Sequence, residues 1–206
     1  MLDFDGTLVS RDILDVVCGI VGKEAESDQL NREFHAGQRS GVQVLVDRIN
    51  FLKGVTQAQI DAKLQEEPYL MPHARELMAY LNEQGIVSIL NSGNIVPVLR
   101  SYQKILGITH IVGSEPIIEG SAIQGITEDR CAGSIAKFEG AKRILDSLGI
   151  AASETAAIGD SPADRPALEF AGLSIAINPK GGVESAADYV ISDLAEAVGI
   201  LQKEGS

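Results

Sequence analysis

The chain has few basic residues and no long apolar run. Its 206 residues include 17 lysines and arginines against 29 acidic residues, for a formal charge of −12. No basic cluster is longer than Lys142-Arg143, which argues against a surface that tracks nucleic-acid phosphates. No apolar stretch approaches the length of a membrane span, and no signal peptide precedes the first charged residue. These absences predict a protein that binds neither nucleic acid nor membrane.

Cysteine is also scarce. Cys18 and Cys131 lie far apart and match no metal-ligand spacing, so we interpret them as reduced apolar side chains in a cytoplasmic protein. Apolar residues, in contrast, make up 45% of the chain and charged residues 22%. This balance is typical of a globular protein and excludes the disordered and low-complexity classes. The length allows one sizeable domain, or one domain that carries a smaller insertion.

The chain has two regions with different sequence patterns. Residues 12–68 show a rather polar helical pattern without a convincing strand, whereas after Pro68 short apolar segments alternate with helical stretches. Such alternation indicates parallel strands joined by crossover helices. We predict a hairpin at 116–127, strands at 87–90, 109–112, 155–158, 174–177 and 189–191, and helices at 73–84, 95–106, 137–148, 164–170, 183–187 and 194–203. The predicted fold class is α/β: a Rossmann-like parallel sheet core (1–11 and 69–206) with a small helical cap (12–68) inserted after the first strand.

Carboxylates follow two of the apolar segments. Asp3 and Asp5 point the same way if their segment is extended, and Gly6 lets the chain turn directly after them. Asp160 follows the segment at 155–158, and Asp164 opens the next predicted helix. Because reactive groups collect at the carboxyl ends of parallel strands, these acids suit a hard cation such as Mg²⁺. Taken singly, a surface turn would explain Asp3 and Asp5 equally well, and a helix N-terminal charge would explain Asp164. Asp160 has no such ordinary explanation.

A hydroxyl and a lysine complete the set. The segment at 87–90 leads into Ser92 and Gly93, whose hydroxyl and backbone N–H would face an anion at the following helix, although an ordinary N-cap is the simpler interpretation. Lys137 falls near the start of a helix, where a cation is unfavourable, and this breach of a local rule indicates functional use. Lys142 is mid-helix and fits a solvated face. The combination in this chain order is far more specific than any one signal.

These residues resemble the four ordered motifs of the haloacid dehalogenase superfamily of phosphohydrolases, namely Asp3-Phe4-Asp5-Gly6-Thr7, Ser92, Lys137 and Gly159-Asp160 with Asp164. The helical insertion, the spacing from Lys137 to Asp160 and the tail at 175–180 resemble the phosphoserine phosphatase branch. The resemblance implies that Asp3 attacks phosphorus to form an aspartyl-phosphate. It implies that Asp5 protonates the leaving alkoxide and then activates water.

The same resemblance implies a ligand set. Mg²⁺ would be held by the Asp3 and Asp160 side chains and the Asp5 carbonyl, with Asp164 as a further ligand or as the partner of one. The phosphoryl oxygens would be held by Ser92, the Gly93 N–H and Lys137. One departure is Ala163, which stands where the family has asparagine. Both neighbouring acids are kept, so the departure bears on substrate fit or rate rather than on the chemistry.

Substrate recognition is implied at Asp12, for a substrate amine, and at Arg48, for a substrate carboxylate; together they would select a phosphorylated amino acid. As a first-turn helix charge and a solvated helix face, the two residues also have ordinary explanations. The predicted substrate is a small phosphorylated metabolite, with phosphoserine as the first choice and a glycerol phosphate or another sugar-derived phosphate as the alternative. A receiver-type phospho-acceptor module is less favoured, because its phosphorylated aspartate ends a later strand and no helical insertion follows its first acidic motif.

The segment before Asp3 is short for a strand of the sheet. A strand has about five or six residues, yet only Met1 and Leu2 precede Asp3. We therefore expect the natural protein to begin a few residues before Met1.

Overall fold

The computed structural model describes residues 1–204. The strands are β1 (Ile89–Ile95), β2 (His110–Ser114), β3 (Ile117–Glu119), β4 (Ala122–Gly125), β5 (Ala156–Gly159), β6 (Leu173–Ile177) and β7 (Tyr189–Ile191). The helices are α1 (Ile13–Cys18), α2 (Glu24–His35), α3 (Gly41–Phe51), α4 (Gln57–Glu66), α5 (Ala74–Glu83), α6 (Val96–Leu106), α7 (Ser134–Leu148), α8 (Arg165–Phe170) and α9 (Leu194–Glu204). No helix in this part of the chain combines the length and apolar character needed to cross a membrane.

The central sheet is parallel. β1 pairs with β2, and β5, β6 and β7 pair in that order. Leu2 joins the two groups, since it forms parallel bridges to Leu90 of β1 and to Ile158 of β5. The Leu2 and Asp3 amides donate to Ile89 O at 2.8 Å and to Ile158 O at 2.9 Å. The predicted α/β class with a parallel sheet is thus confirmed.

Two predicted elements are wrong in detail. The strand predicted to end at 90 continues as extended backbone to Ile95, with a register shift against β2 between Asn91 and Ile95. The helix predicted at 183–187 is a 3-10 turn, Val183–Ala186. In both places the apolar pattern is too short to distinguish a strand, a turn and a helix end.

The insertion α1–α4 shares its apolar core with the sheet. Residues 1–3 form the first segment of the sheet. Phe4, which follows this segment, packs edge-on against Tyr102 of α6 with ring centroids 4.7 Å apart. The same buried cluster continues through Leu14 of α1 and Ile49 of α3. Burying one such side chain contributes about 1.5–3 kcal/mol, so this shared core holds the insertion on the sheet. The domain boundaries at 12 and 68 stay a prediction.

The predicted hairpin forms, and it also touches the insertion. β3 and β4 pair antiparallel, and Thr56, before α4, bridges Ala122 of β4. The Gly54 amide donates to Ile123 O at 2.7 Å, and the Ile123 amide donates to Val55 O at 2.9 Å. Backbone pairing therefore adds to apolar packing in joining the insertion to the core.

Both cysteines are free and buried. Burial raises the pKa of the Cys18 and Cys131 thiols to about 11. At neutral pH both are therefore protonated and unreactive, as the interpretation as small apolar side chains requires.

Candidate active site

A buried ion-pair cluster lies where the first segment ends, between β1 and β5. Lys137 Nζ is 3.0 Å from Asp3 Oδ1 and 2.6 Å from Asp164 Oδ1. The side chains of Lys137 and Asp164 are 5% exposed and that of Asp3 10%. Lys137 reaches this place from the first turns of α7, whose N-cap is Gly133. The lysine predicted to break a local rule thus has carboxylate partners from two other segments of the chain.

Asp160 adds a third carboxylate. Oxygens of Asp3, Asp160 and Asp164 lie within 4.8 Å of one another, and Lys180 Nζ is 2.7 Å from Asp160 Oδ2. Gly6, at φ +90°, packs so closely on Asp160 that a Cβ there would collide with Oδ2. Only glycine both adopts this backbone conformation and lets the Asp160 carboxylate approach the segment that holds Asp3. Convergent carboxylate oxygens are the ligand chemistry that Mg²⁺ prefers.

The charges in this cluster oppose one another. Burial raises the pKa of Asp3 well above its usual range, and the charges of Asp164 and Asp160 add to the effect while Lys137 opposes it. Burial also raises the pKa of Asp160, although Lys180 opposes the shift. Carboxylates so close together ionise together only when a cation offsets their repulsion. The donor set therefore fits a divalent cation.

Asp164 is the best-satisfied carboxylate of the three. Its Oδ2 accepts from the Asp160 and Ser161 amides, at 3.2 and 3.0 Å, and from Ser161 Oγ at 3.0 Å. Burial acts against ionisation, but Lys137 and the Ser161 donors hold the pKa of Asp164 below its usual range. Asp164 ends a 3-10 turn, Pro162–Asp164, and is the N-cap of α8, so the prediction that it opens the helix is correct to within one residue. The hydrogen bonds from Asp160 and Ser161 to Asp164 Oδ2 hold the loop after β5 in its conformation.

Asp5 lies in a different environment. Its Oδ1 accepts from the Ile13 amide at 2.8 Å, and its Oδ2 accepts from Asn94 Nδ2 at 3.3 Å. Burial, with the charge of Asp12 as the next cause, raises the pKa of Asp5 to about 7. A carboxyl group with that pKa gives up and takes a proton readily near neutral pH.

The sequence suggested that Ser92 and Gly93 lie at a helix N-terminus, but the structure does not place them there. They lie within the extended run of β1, and α6 begins only at Val96, with Ile95 as N-cap and no side-chain cap. Ser92 Oγ accepts from the Asn94 amide at 3.0 Å, and Ser114 Oγ donates to Gly93 O at 2.7 Å. The N-cap interpretation of Ser92 is therefore wrong, and its hydroxyl is positioned by the backbone N–H of Asn94, two residues further along the chain.

Asp12 and Arg48 contact each other in the insertion. An Arg48 guanidinium nitrogen lies 2.6 Å from Asp12 Oδ1 and 2.9 Å from Asp15 Oδ1, and Nε donates to Ser27 Oγ at 2.8 Å. The Arg48 side chain is 5% exposed and that of Asp12 25%. The solvated-face interpretation of Arg48 is thus wrong. Asp12 is the N-cap of α1, and its Oδ1 accepts from the Asp15 amide at 3.1 Å.

Among the residues in this region that were not predicted from the sequence are Asn94, Asp15 and Lys180. Asn94 follows Ser92-Gly93 directly, so its place in the phosphate-binding motif was the available signal. Asp15 carries no such signal, because its role depends on Arg48, which lies 33 residues away along the chain. Asn31 Nδ2 also reaches Asp12, at 3.1 Å from Oδ2.

Most of the chain matches a known protein family. A profile of haloacid dehalogenase-like hydrolases matches residues 1–169, and the chain belongs to that family. It is similar to two curated proteins named phosphoserine phosphatase. That of Albidiferax ferrireducens is 29% identical over 194 residues, covering 92% of this chain and 82% of the relative. That of Archaeoglobus fulgidus is 28% identical over 192 residues, and the match spans only 56% of its length.

A solved structure agrees with this similarity. It is described as a phospho-aspartyl intermediate analogue of phosphoserine phosphatase. It superposes with a TM-score of 0.78 at 25% identity, and the match covers 97% of this chain and 96% of that chain. The predicted superfamily is therefore confirmed as the family of this chain, and the relatives to which the chain is similar carry the name of the branch that its motifs resemble.

Proposed function

We propose that this protein is a Mg²⁺-dependent phosphatase that hydrolyses a small phosphomonoester, L-phosphoserine, through an aspartyl-phosphate. The observation that carries the proposal is Asp3, largely buried at the end of the first segment, with Lys137 on one carboxylate oxygen and the Asp160 carboxylate alongside. Family membership and relatives named phosphoserine phosphatase support it. Helices α1–α4 would form the cap (residues 12–68) over the site. The buried free cysteines are consistent with a cytoplasmic location.

The reaction divides into two displacements. Lys137 binds Asp3 Oδ1, and the other Asp3 oxygen attacks phosphorus. As the new oxygen–phosphorus bond forms, the bond to the substrate oxygen breaks, and Asp5 gives its proton to that leaving oxygen. Water then attacks the phosphorus of the aspartyl-phosphate, Asp5 takes a proton from it, and inorganic phosphate and free Asp3 result. Ser92, the Gly93 N–H and Lys137 hold the phosphoryl oxygens through both steps.

The metal would be held by the Asp3 and Asp160 side chains and the Asp5 carbonyl, with Asp164 as a further ligand or as the group that positions Lys137. When bound, Mg²⁺ supplies positive charge to the phosphoryl oxygens and offsets the repulsion among the carboxylates. The raised pKa values of Asp3 and Asp160 and the tight fit of Gly6 on Asp160 support this assignment.

Magnesium is expected to raise the melting temperature of the protein. A ligand that binds only the folded state at 100 times its dissociation constant stabilises that state by about 2.7 kcal/mol. Thermal melts in EDTA and in increasing MgCl₂ measure the effect. Asp160→Asn is expected to lose most of the shift, whereas Asp146→Asn, which alters an exposed ion pair with Lys142, should keep it. An equal shift in all three proteins would contradict a site at Asp160.

Substrate choice follows from the Asp12–Arg48 pair. An ammonium group on Asp12 and a carboxylate on Arg48 would together recognise the two charged ends of a phosphorylated amino acid. The charge of Asp12 raises the pKa of Asp5 and that of Arg48 lowers it, which supports a substrate site close to the acid–base group. Initial rates with L-phosphoserine, glycerol phosphate, a sugar phosphate and p-nitrophenyl phosphate test the proposal. A preference for glycerol phosphate over phosphoserine would shift the assignment to the alternative substrate class, and no turnover of any ester would overturn the proposed function.

Arg48→Ala is expected to raise KM for phosphoserine about 10- to 100-fold, the value of one lost charged hydrogen bond. The kcat/KM for p-nitrophenyl phosphate, which has no carboxylate, should change little. Arg48→Lys keeps the buried charge near Asp12 and Asp15 but not the planar fork, so it separates recognition from folding. Arg39→Ala removes an arginine of the same insertion that pairs with Asp47 and is the control. Equal losses on both esters would argue against carboxylate recognition.

A further inference from the structure

Asn94 is a buried polar residue for which the proposed mechanism has no role. It is 3% exposed, and its side chain lies between the end of β1 and Asp5. Its Oδ1 accepts from the Ile95 amide at 2.8 Å, and its Nδ2 donates to Asp5 Oδ2 at 3.3 Å. The Ile95 N–H and the Asp5 carboxylate determine the orientation of the Asn94 side-chain amide, because a backbone N–H requires an acceptor and a carboxylate requires a donor.

Asp5 is held from two sides. The donor to Oδ1 is the Ile13 amide, in the first turn of α1 and therefore in the insertion. The donor to Oδ2 is Asn94, at the end of β1 and therefore in the core. A carboxylate with one donor on each oxygen has a single preferred rotation about its side-chain bonds. Without Asn94, only the hydrogen bond from the insertion would orient it.

The same residue also positions Ser92. The backbone N–H of Asn94 donates to Ser92 Oγ at 3.0 Å. With its oxygen accepting this bond, the Ser92 hydroxyl has its hydrogen available to donate to a phosphoryl oxygen. Asn94 thus links the hydroxyl proposed to hold the phosphoryl group with the carboxyl proposed to move the proton.

We propose that Asn94 is a positioning residue that aims the Asp5 carboxyl at the leaving-group oxygen. This inference rests on the proposed function. Proton transfer occurs while the bond from phosphorus to the leaving oxygen breaks, so it requires the carboxyl within hydrogen-bond reach of that oxygen at that moment. Asn94 touches Asp5 and acts through it.

The leaving group supplies the test. An alkoxide such as the serine oxygen needs the proton from Asp5, whereas p-nitrophenolate departs without one. The ratio kcat/KM covers the steps up to the first irreversible one, which here is release of the alcohol or phenol. For Asn94→Ala in saturating MgCl₂ we expect kcat/KM to fall about 10- to 100-fold for phosphoserine, the cost of a slightly misplaced acid. For p-nitrophenyl phosphate we expect a change of less than about twofold on the same reasoning.

Two further variants keep the test decisive. Asn94→Asp has the same shape and keeps an acceptor for the Ile95 amide. At a pH where it is ionised it offers Asp5 a like charge instead of a donor, so it should show the same selective loss even if the alanine variant folds poorly. Asn82→Ala removes an exposed asparagine, whose Nδ2 donates to Leu106 O at 3.2 Å, and should leave both ratios unchanged. Melting temperatures report on the integrity of each variant.

The outcomes separate the inference from the function on which it rests. Equal losses of kcat/KM on the alkyl and aryl esters would show that Asn94 acts in phosphate binding or folding, and would overturn the inference alone. Full alkyl phosphatase activity in Asn94→Asp would overturn it as well. A wild-type protein that hydrolyses neither ester would overturn the proposed function, and the inference with it.

Discussion

Asp3→Asn is expected to lower kcat by about 10⁴-fold or more on every phosphate ester, since loss of a covalent nucleophile removes the whole route through its intermediate. The asparagine side chain has nearly the same volume, and Lys137 keeps Asp164 as its partner at 2.6 Å. The fold should therefore persist. Steady-state rates with p-nitrophenyl phosphate and with phosphoserine measure the loss.

The same variant should be at least as stable as the wild type in EDTA. The raised pKa of Asp3 arises first from burial and then from Asp164 and Asp160, so an ionised Asp3 costs free energy in the folded metal-free protein. A neutral amide removes that cost. Asp28→Asn, which alters an exposed pair with Arg32, is the control for activity and stability. An Asp3→Asn protein that keeps full activity would exclude Asp3 as the nucleophile.

Lys137→Met is the second variant with a large expected effect, and here stability and activity should fall together. Removing one partner of a buried ion pair costs about 3–5 kcal/mol, because the remaining charges are left uncompensated. Burial acts to lower the pKa of Lys137, but Asp3 and Asp164 more than offset this and hold it above its usual range. The lysine is therefore charged at neutral pH in the wild type. We expect kcat to fall about 10²- to 10³-fold, as for loss of one group that stabilises the transferring phosphoryl oxygens.

Urea unfolding in EDTA and in MgCl₂ measures the stability effect. Bound Mg²⁺ would offset part of the repulsion among the carboxylates, so the destabilisation should be smaller when the metal is present. Lys142→Met, which alters an exposed pair with Asp146 on the same helix, should leave the free energy of unfolding almost unchanged. Similar free energies for Lys137→Met and Lys142→Met would contradict the buried ion-pair cluster.

The two variants are most informative together. Both should abolish or greatly reduce turnover, yet in EDTA Asp3→Asn relieves the crowding of negative charge and Lys137→Met increases it. Because the two side chains are in contact, their effects on stability should not add. The double variant is expected to be more stable than Lys137→Met alone. A double variant less stable than either single one would indicate that Lys137 stabilises the fold through packing rather than charge.

The chain order of short apolar segments was enough to predict the α/β class and the meeting of Asp3 and Asp160, whereas Lys137 was assigned to the same place from its unfavourable position near a helix start. Parallel strands place their carboxyl ends at one edge of a sheet, so residues that directly follow such strands converge whatever the details of packing. Ser92 was assigned correctly to the same edge but wrongly to a helix start. The extended backbone through Ile95 is decided by pairing with β2 and by side-chain bonds within the loop, which a local pattern does not show.

The hydrogen-bond partners of Arg48 and Asp5 were not predicted from the sequence, although the position of Asn94 directly after Ser92-Gly93 was a signal that it lies near the site. Arg48 on α3 meets Asp15 on α1, and Asp5 meets Asn94 across 89 residues of chain. Such pairs depend on the orientation of the insertion over the sheet, which follows from the packing of its apolar faces rather than from a period or a spacing. Chain order and residue pattern thus predict the fold class and which residue types lie at the strand ends. Which charged groups compensate one another depends on the folded structure, because burial and distance set the pKa values and the orientations on which the proposed chemistry depends.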